Sequence, residues 1–251
     1  RHFPDGERYI RVLMDVTNQD VVVVQNTFPD KKIVELLLIL QAVKEAKAKT
    51  VTCVIPYMGY SRQERVFQSG EARSAKAIAS VIGSMCDRVF TINVHTPAIL
   101  DFFGCEAKDI NGSREVVRYL KGFKPDMVVA PDEGSRDRCT LAADMLKVPV
   151  HVMKKVRIDG RTVETSSGQV DVKGCTAVIL DDIISTGGTI ATAANILREG
   201  GAERVLAACT HGLFIEDAAN RLRVCDDILS SDTLEGVYTR FSVAPAIADS
   251  L

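Results

Sequence analysis

Ala177-Val178-Ile179-Leu180-Asp181-Asp182-Ile183-Ile184-Ser185-Thr186-Gly187-Gly188-Thr189-Ile190 carries an apolar run into two acids, then into a Ser/Thr/Gly turn, then into the first residue of a helical stripe. The order predicts a buried strand, a tight loop and a helix. Gly187 and Gly188 let successive backbone N–H groups turn inward. Ser185, Thr186 and Thr189 add hydroxyl donors, and the helix start brings its positive end to the same point. Such a loop suits a phosphate. Asp181 and Asp182 repel a phosphate but suit neutral sugar hydroxyls, directly or through a cation. A Gly-Gly pair alone is met by an ordinary strand-to-helix turn; acids, hydroxyls and glycines together point to a sugar phosphate.

Outward from this segment, short β-branched runs at 21–24, 51–55, 89–94, 127–130, 148–152 and 205–209 alternate with amphipathic stretches. That alternation predicts βαβ units around a mainly parallel sheet. Ile33, Leu36, Leu37, Leu40 and Val43 form one helical stripe. Ile190, Ala193, Ala194 and Leu197 form another, which stops at Gly200-Gly201. The Asn111-Gly112-Ser113 turn, with Ser113 as helix N-cap, marks a boundary between a first domain at 1–111 and a second at 112–251. A chain of 251 residues, 46% hydrophobic, is long enough for two modest cores.

The 31 basic and 33 acidic residues are interspersed, so nothing suggests a nucleic-acid or membrane-surface footprint, and anionic ligands must be held locally. The seven cysteines are scattered singly, mostly in apolar runs, without a CxxC pair. They are read as reduced core thiols of a cytoplasmic protein. No signal peptide or membrane span is visible.

The 177–190 loop resembles the signature of type I phosphoribosyltransferase folds, which implies two domains of α/β class, each a mainly parallel sheet flanked by helices. Three further segments fall in the order of the ribose-phosphate pyrophosphokinase family: Ile55-Pro56-Tyr57-Met58-Gly59-Tyr60-Ser61-Arg62-Gln63-Glu64-Arg65, Asn93-Val94-His95 and Pro131-Asp132-Glu133-Gly134-Ser135. The chain is therefore similar to that family over nearly its whole length, including Thr210-His211-Gly212 and Ser242-Val243-Ala244-Pro245.

The resemblance assigns roles residue by residue. Arg62 and Gln63 would contact ATP; an arginine can fork onto phosphate or lie over adenine, and a glutamine can both donate and accept. His95 would contact the nucleotide and, with Asp132, hold the Mg2+ that carries its phosphates. Asp132, Glu133, Gly134 and Ser135 would bind diphosphate. Asp181, Asp182, Ser185, Thr186, Gly187, Gly188 and Thr189 would bind ribose 5-phosphate. Lys155 and Arg157 match a Lys-x-Arg pair on a mobile catalytic loop, where positive groups stabilise charge on the diphosphoryl group in transit. Phe3-Pro4-Asp5-Gly6-Glu7 resembles the element whose Phe3, Asp5 and Glu7 would complete the adenine pocket of a neighbouring subunit, which implies a homo-oligomer; the run also suits a hairpin turn ahead of a strand at 9–13.

The implied reaction moves the β,γ-diphosphate of ATP to the 1-hydroxyl of ribose 5-phosphate. Two departures stand out. Ser185 occupies a position where the family often has aspartate, and the family's opening strand and helix are not in the sequence, which starts at Arg1 and is read as a truncated record. Two rival readings stay open: a phosphoribosyltransferase acting on a nitrogenous base, and a catalytically silent regulatory homologue.

Overall fold

The computed structural model describes residues 1, 3–157, 163–166 and 171–251, with backbone alone at 154–157 and 163–166. The chain forms two compact units, Arg1–Ile110 and Asn111–Leu251.

In the first unit β1 (Asp20–Val24), α1 (Lys31–Glu45), β2 (Thr50–Ile55), α2 (Ser74–Gly83), β3 (Arg88–Ile92) and β4 (Glu106–Ile110) follow one another, with a short 3-10 turn at Pro97–Phe102. The four strands are parallel in the order β1-β2-β3-β4. The core joins Leu36, Leu40 and Val43 of α1 to Val51, Cys53 and Ile55 of β2, and to Ala75, Ala79 and Ile82 of α2. The predicted α1 stripe forms, although Ile33 and Leu37 are only half-buried.

The second unit contains α3 (Ser113–Leu120), β5 (Met127–Ala130), α4 (Arg136–Leu146), β6 (Val150–Val152), β7 (Lys154–Arg157), β8 (Val163–Ser166), β9 (Thr176–Ile184), α5 (Gly188–Glu199), β10 (Arg204–Gly212), α6 (Ala218–Arg221), β11 (Asp227–Ser231), β12 (Thr239–Phe241) and α7 (Ala244–Ala248). Six strands make a parallel sheet in the order β12-β11-β10-β9-β5-β6, while β7 and β8 form a separate antiparallel pair. β9 lies between β10 and β5 with both faces covered. Ala177 and Ile179 pack with Ile190, Ala193, Ala194 and Leu197 of α5; Val178 and Leu180 pack with Val116, Val117 and Leu120 of α3 and Ala142 of α4. A parallel strand buried on both faces reads as a continuous apolar run, which is why 177–180 was so plain.

Three expectations change. Residues 9–13 form no strand: Val12 packs against the first core, but Leu13 is 86% exposed and the segment pairs with no described strand. Ser113 is not the N-cap of α3. Gly112 holds that position, and the Asn111 carboxamide accepts from the Ser113 N–H at 2.8 Å. The acid pair does not follow β9 but lies inside it, because β10 keeps pairing with β9 as far as Gly212↔Ile184.

Candidate functional site

β9 and β5 run side by side in the register Val129↔Ile179, so the chain leaving β5 at Pro131 travels alongside the last turns of β9. That parallel exit brings two sequence-predicted groups together. The Ser135 hydroxyl donates to Asp181 Oδ1 at 2.7 Å and approaches Asp132 Oδ1 at 3.5 Å. Asp132 is half-buried and Ser135 buried, whereas Glu133 and Gly134 are exposed, Glu133 being paired with Arg136. Carboxyl ends of parallel strands are where ligands gather in open α/β sheets.

Asp182 is 4% exposed, and the Asp181 side chain is 17% exposed. Burying two adjacent carboxylates is costly unless cations and donors accompany them. Arg138 on the first turns of α4 supplies both: its Nη1 lies 2.9 Å from Asp181 Oδ1 and 2.7 Å from Asp182 Oδ1. Backbone donors add to this, from Asp182 N–H to Asp181 Oδ1 and from Ile183 N–H to Asp182 Oδ1, each at 2.9 Å. Burial, and next the neighbouring Asp182, push the Asp181 carboxyl up to about 7, against the pull of Ser135 and Arg138.

The turn from β9 into α5 has the form of an anion cradle. Gly187 sits at φ +76° as the N-cap of α5, and no side chain caps that helix start. A side chain at 187 would be strained by the left-handed backbone and would put its Cβ 3.0 Å from Leu222 Cγ. Gly188 meets nothing closer than Thr186 Oγ1 at 4.0 Å, so its surroundings are open. Ser185 and Thr186 are half-buried and Thr189 is exposed. The Ile215 N–H donates to the Ser185 carbonyl at 3.1 Å, and Arg221 Nη1 donates to the Thr186 carbonyl at 3.1 Å, so neighbouring segments fix the loop's shape.

In the first unit the predicted nucleotide residues stand on exposed turns. Gly59 makes the turn after β2 possible: its N–H donates to Thr27 Oγ1 at 2.7 Å, and a Cβ there would stand 2.7 Å from the Thr27 carbonyl oxygen. Tyr60 follows at φ +63°, its hydroxyl donating to Asp30 Oδ1 at 2.8 Å, and Arg62 and Gln63 come out exposed. Gln63, Arg65, Phe67 and Glu71 line a cavity of about 360 Å³. His95 is likewise exposed, on a turn in which Asp109 Oδ1 accepts from the Val94 N–H at 2.9 Å and the Thr91 hydroxyl at 2.7 Å. Phe3, Asp5 and Glu7 lie on a turn closed by bonds from Phe3 N–H to Glu7 O and from Gly6 N–H to Phe3 O, both at 2.9 Å. Phe3 is 48% exposed and meets Tyr9 edge-on at 5.7 Å. Separate partners thus hold the 3–7 turn, the 59–63 loop and the His95 turn.

Lys155 and Arg157 belong to β7, paired in the register Lys155↔Thr165 and Arg157↔Val163; their side chains and residues 158–162 lie outside the described residues. Sequence reasoning missed Arg138, Arg221 and Asp109, and it quoted Tyr60 in the 55–65 segment without giving it a role.

Among the described residues no three His, Cys, Asp or Glu side chains converge on a metal site, and no helix is long and apolar enough to cross a membrane. A magnesium ion needs no such cage, since it keeps waters and is bound through one or two protein ligands and substrate phosphates.

The parallel six-stranded sheet, the acid pair and the glycine turn define a phosphoribosyltransferase-type domain, and residues 107–243 match the phosphoribosyl transferase domain family model. Residues 1–85 match the N-terminal domain of ribose phosphate pyrophosphokinase. The chain is 38% identical to ribose-phosphate pyrophosphokinase of Methanothermobacter thermautotrophicus, across 99% of its own length and 89% of the relative's. It is 40% identical to the Methanosarcina mazei enzyme, across 99% and 84%. Its fold superposes on the phosphoribosylpyrophosphate synthetase of Mycobacterium smegmatis with a TM-score of 0.85 at 30% identity, covering 100% of this chain and 87% of the other. The chain belongs to the ribose-phosphate pyrophosphokinase family.

Proposed function

We propose that this enzyme transfers the β,γ-diphosphate of ATP to the 1-hydroxyl of ribose 5-phosphate, giving 5-phosphoribosyl 1-diphosphate and AMP for nucleotide synthesis. The observation that carries the reading is the joining of Asp181, Asp182, Ser135 and Arg138 beside a glycine turn that opens α5. A base-using phosphoribosyltransferase has no need of the first unit, which the pyrophosphokinase relatives share over their length.

Thr186, Gly187, Gly188 and Thr189, with Ser185, receive the 5-phosphate through backbone N–H groups, hydroxyls and the α5 terminus. Asp181 and Asp182 accept the sugar hydroxyls and hold the ring for in-line attack on the β-phosphorus. Loss of the aspartate often found at position 185 leaves these two acids in place. Asp132, Glu133, Gly134 and Ser135 take the diphosphate as it arrives. Arg62 and Gln63 bind ATP from the first unit. Phe3, Asp5 and Glu7, all exposed, serve the adenine site of another copy in a homo-oligomer. His95 and Asp132 are the proposed ligands of Mg2+. Bound there, the ion would neutralise phosphate charge and orient the triphosphate. Lys155 and Arg157 stabilise the charge that builds on the transferring group and the leaving AMP. No side chain acts as a nucleophile. A cytoplasmic setting fits seven free cysteines.

The deciding assay incubates the chain with magnesium, ATP and ribose 5-phosphate. AMP and the diphosphorylated sugar should appear in equal amounts. A parallel incubation with 5-phosphoribosyl 1-diphosphate and a nitrogenous base in place of ATP and ribose 5-phosphate tests the rival: diphosphate release there and not in the first mixture would establish the transferase, and no product in either would establish a silent homologue.

A further inference from the structure

Arg138 carries a role that the family resemblance did not assign. It stands six residues after Asp132, with its side chain 22% exposed, and a single nitrogen, Nη1, reaches Oδ1 of both Asp181 and Asp182 at 2.9 and 2.7 Å. Three hydrogen bonds to the Asp181 carboxylate end on that same Oδ1: from Ser135 Oγ at 2.7 Å, Arg138 Nη1 at 2.9 Å and the Asp182 N–H at 2.9 Å. A carboxylate has two oxygens and about four acceptor positions. Three donors on one oxygen anchor the group and use up the acceptor capacity of that oxygen. One nitrogen within hydrogen-bond distance of both Oδ1 atoms also holds the two acids close together, and the planar guanidinium that carries it has less freedom than an ammonium on a flexible stem.

We propose that Arg138 is a positioning and specificity-determining residue, which holds Oδ1 of both acids so that the remaining oxygen of Asp181 meets a ring hydroxyl and ribose 5-phosphate is selected over 2-deoxyribose 5-phosphate. This rests on the reading that the acid pair takes the sugar hydroxyls. A buried acceptor set for a hydroxyl is left unpaired when that hydroxyl is missing, and such sites discriminate strongly. The discrimination depends on acceptors that cannot swing away. A lysine at 138 keeps the charge but replaces the planar guanidinium with an ammonium on a more flexible stem, which holds the bridging donor less firmly.

The test measures KM and kcat for ribose 5-phosphate and for 2-deoxyribose 5-phosphate, and KM for ATP, in the full chain and in Arg138→Lys, Arg138→Met and Asp181→Asn. Thermal melts identify which variants fold. Arg138→Met should raise the KM for ribose 5-phosphate and reduce the preference for ribose by at least about tenfold. Its KM for ATP should stay within about twofold of the parent's, since a positioning role at the sugar acts on one substrate alone. Arg138→Lys should restore the melt and only part of the preference. If Arg138→Met fails to fold, calorimetric binding of the two sugars to Arg138→Lys decides, with full retention of preference overturning the proposal. An unchanged preference in a folded Arg138→Met variant also overturns it. Asp181→Asn separates the layers: a full preference there refutes the acid-pair reading itself, while preference lost there but kept in both Arg138 variants refutes only the role of Arg138.

Discussion

The acid pair of the second unit and the Arg62-Gln63 loop of the first are built on opposite principles. Asp181 and Asp182 lie within a strand, buried, and tied to Ser135 and Arg138 by side-chain bonds that span 43 residues or more. Arg62 and Gln63 stand exposed on a turn whose order comes from backbone features, the close approach of Gly59 to Thr27 and the left-handed Tyr60. The difference teaches where each site keeps its precision. On the proposed reading the acid pair is the sugar end, organised before anything binds, which suits a small neutral ring with few handles. On the same reading the side chains of the proposed nucleotide loop are left for a large, charged ligand to order, at a cost in side-chain entropy that its many contacts can offset.

That contrast can be broken at several points, beginning with the largest expected effect. Lys155→Ala should lower turnover roughly 10²- to 10³-fold, the scale of losing one transition-state charge contact, with little change in ribose 5-phosphate affinity. Unchanged turnover would remove Lys155 from the mechanism. Gly187→Ala comes next, since it strains a left-handed backbone position and presses on Leu222. The fold should lose about 1–2 kcal/mol by chemical denaturation. Sugar-phosphate affinity by calorimetry should fall about tenfold, one phosphate hydrogen bond's worth. If ribose 5-phosphate binds that variant normally, the turn is not the phosphate cradle. Arg62→Ala should be milder and confined to the other substrate: KM for ATP up by about tenfold, the worth of one charge-assisted bond, and melting temperature unchanged because the residue is exposed. A fall in stability there would mean that the nucleotide loop is as preorganised as the acid pair.

How much of this was readable beforehand follows the same division. β9 and the glycine turn were legible because burial on both faces writes a contiguous apolar run, and a left-handed N-cap requires glycine. The end of β9 was not legible. Acids usually mark a strand's exit, and only the length of β10, which pairs His211 with Ile183, keeps Asp181 and Asp182 in the sheet. The absent strand at 9–13 shows the converse, since a β-favouring run becomes a strand only where a neighbouring ladder receives it, and here Val12 packs on the core without one. Arg138 has no local signature, because what makes it notable is a partner 43 residues away. The cysteines look isolated in sequence for the same reason, yet Cys86 contacts both Cys53 and Cys105 once β2, β3 and β4 are assembled. Local chemistry was open to reading; the coincidence of distant side chains was not.

The smallest expected effect tests how the buried acids are balanced. Burial and Asp182 raise the Asp181 carboxyl from 3.8 to about 7, so the folded chain keeps a proton that the unfolded chain has already released between those values. Stability from this group is therefore fully present below about pH 4 and is lost as pH rises towards 7. Asp181→Asn cannot ionise and escapes that loss. The melting temperature of the variant minus that of the parent should grow as pH rises through this window and then level off. A flat difference would mean that Arg138 and Ser135 fully compensate the buried charge, leaving the pair as comfortable ionised as the exposed acids of the first unit. The contrast between the two regions would then be one of geometry alone.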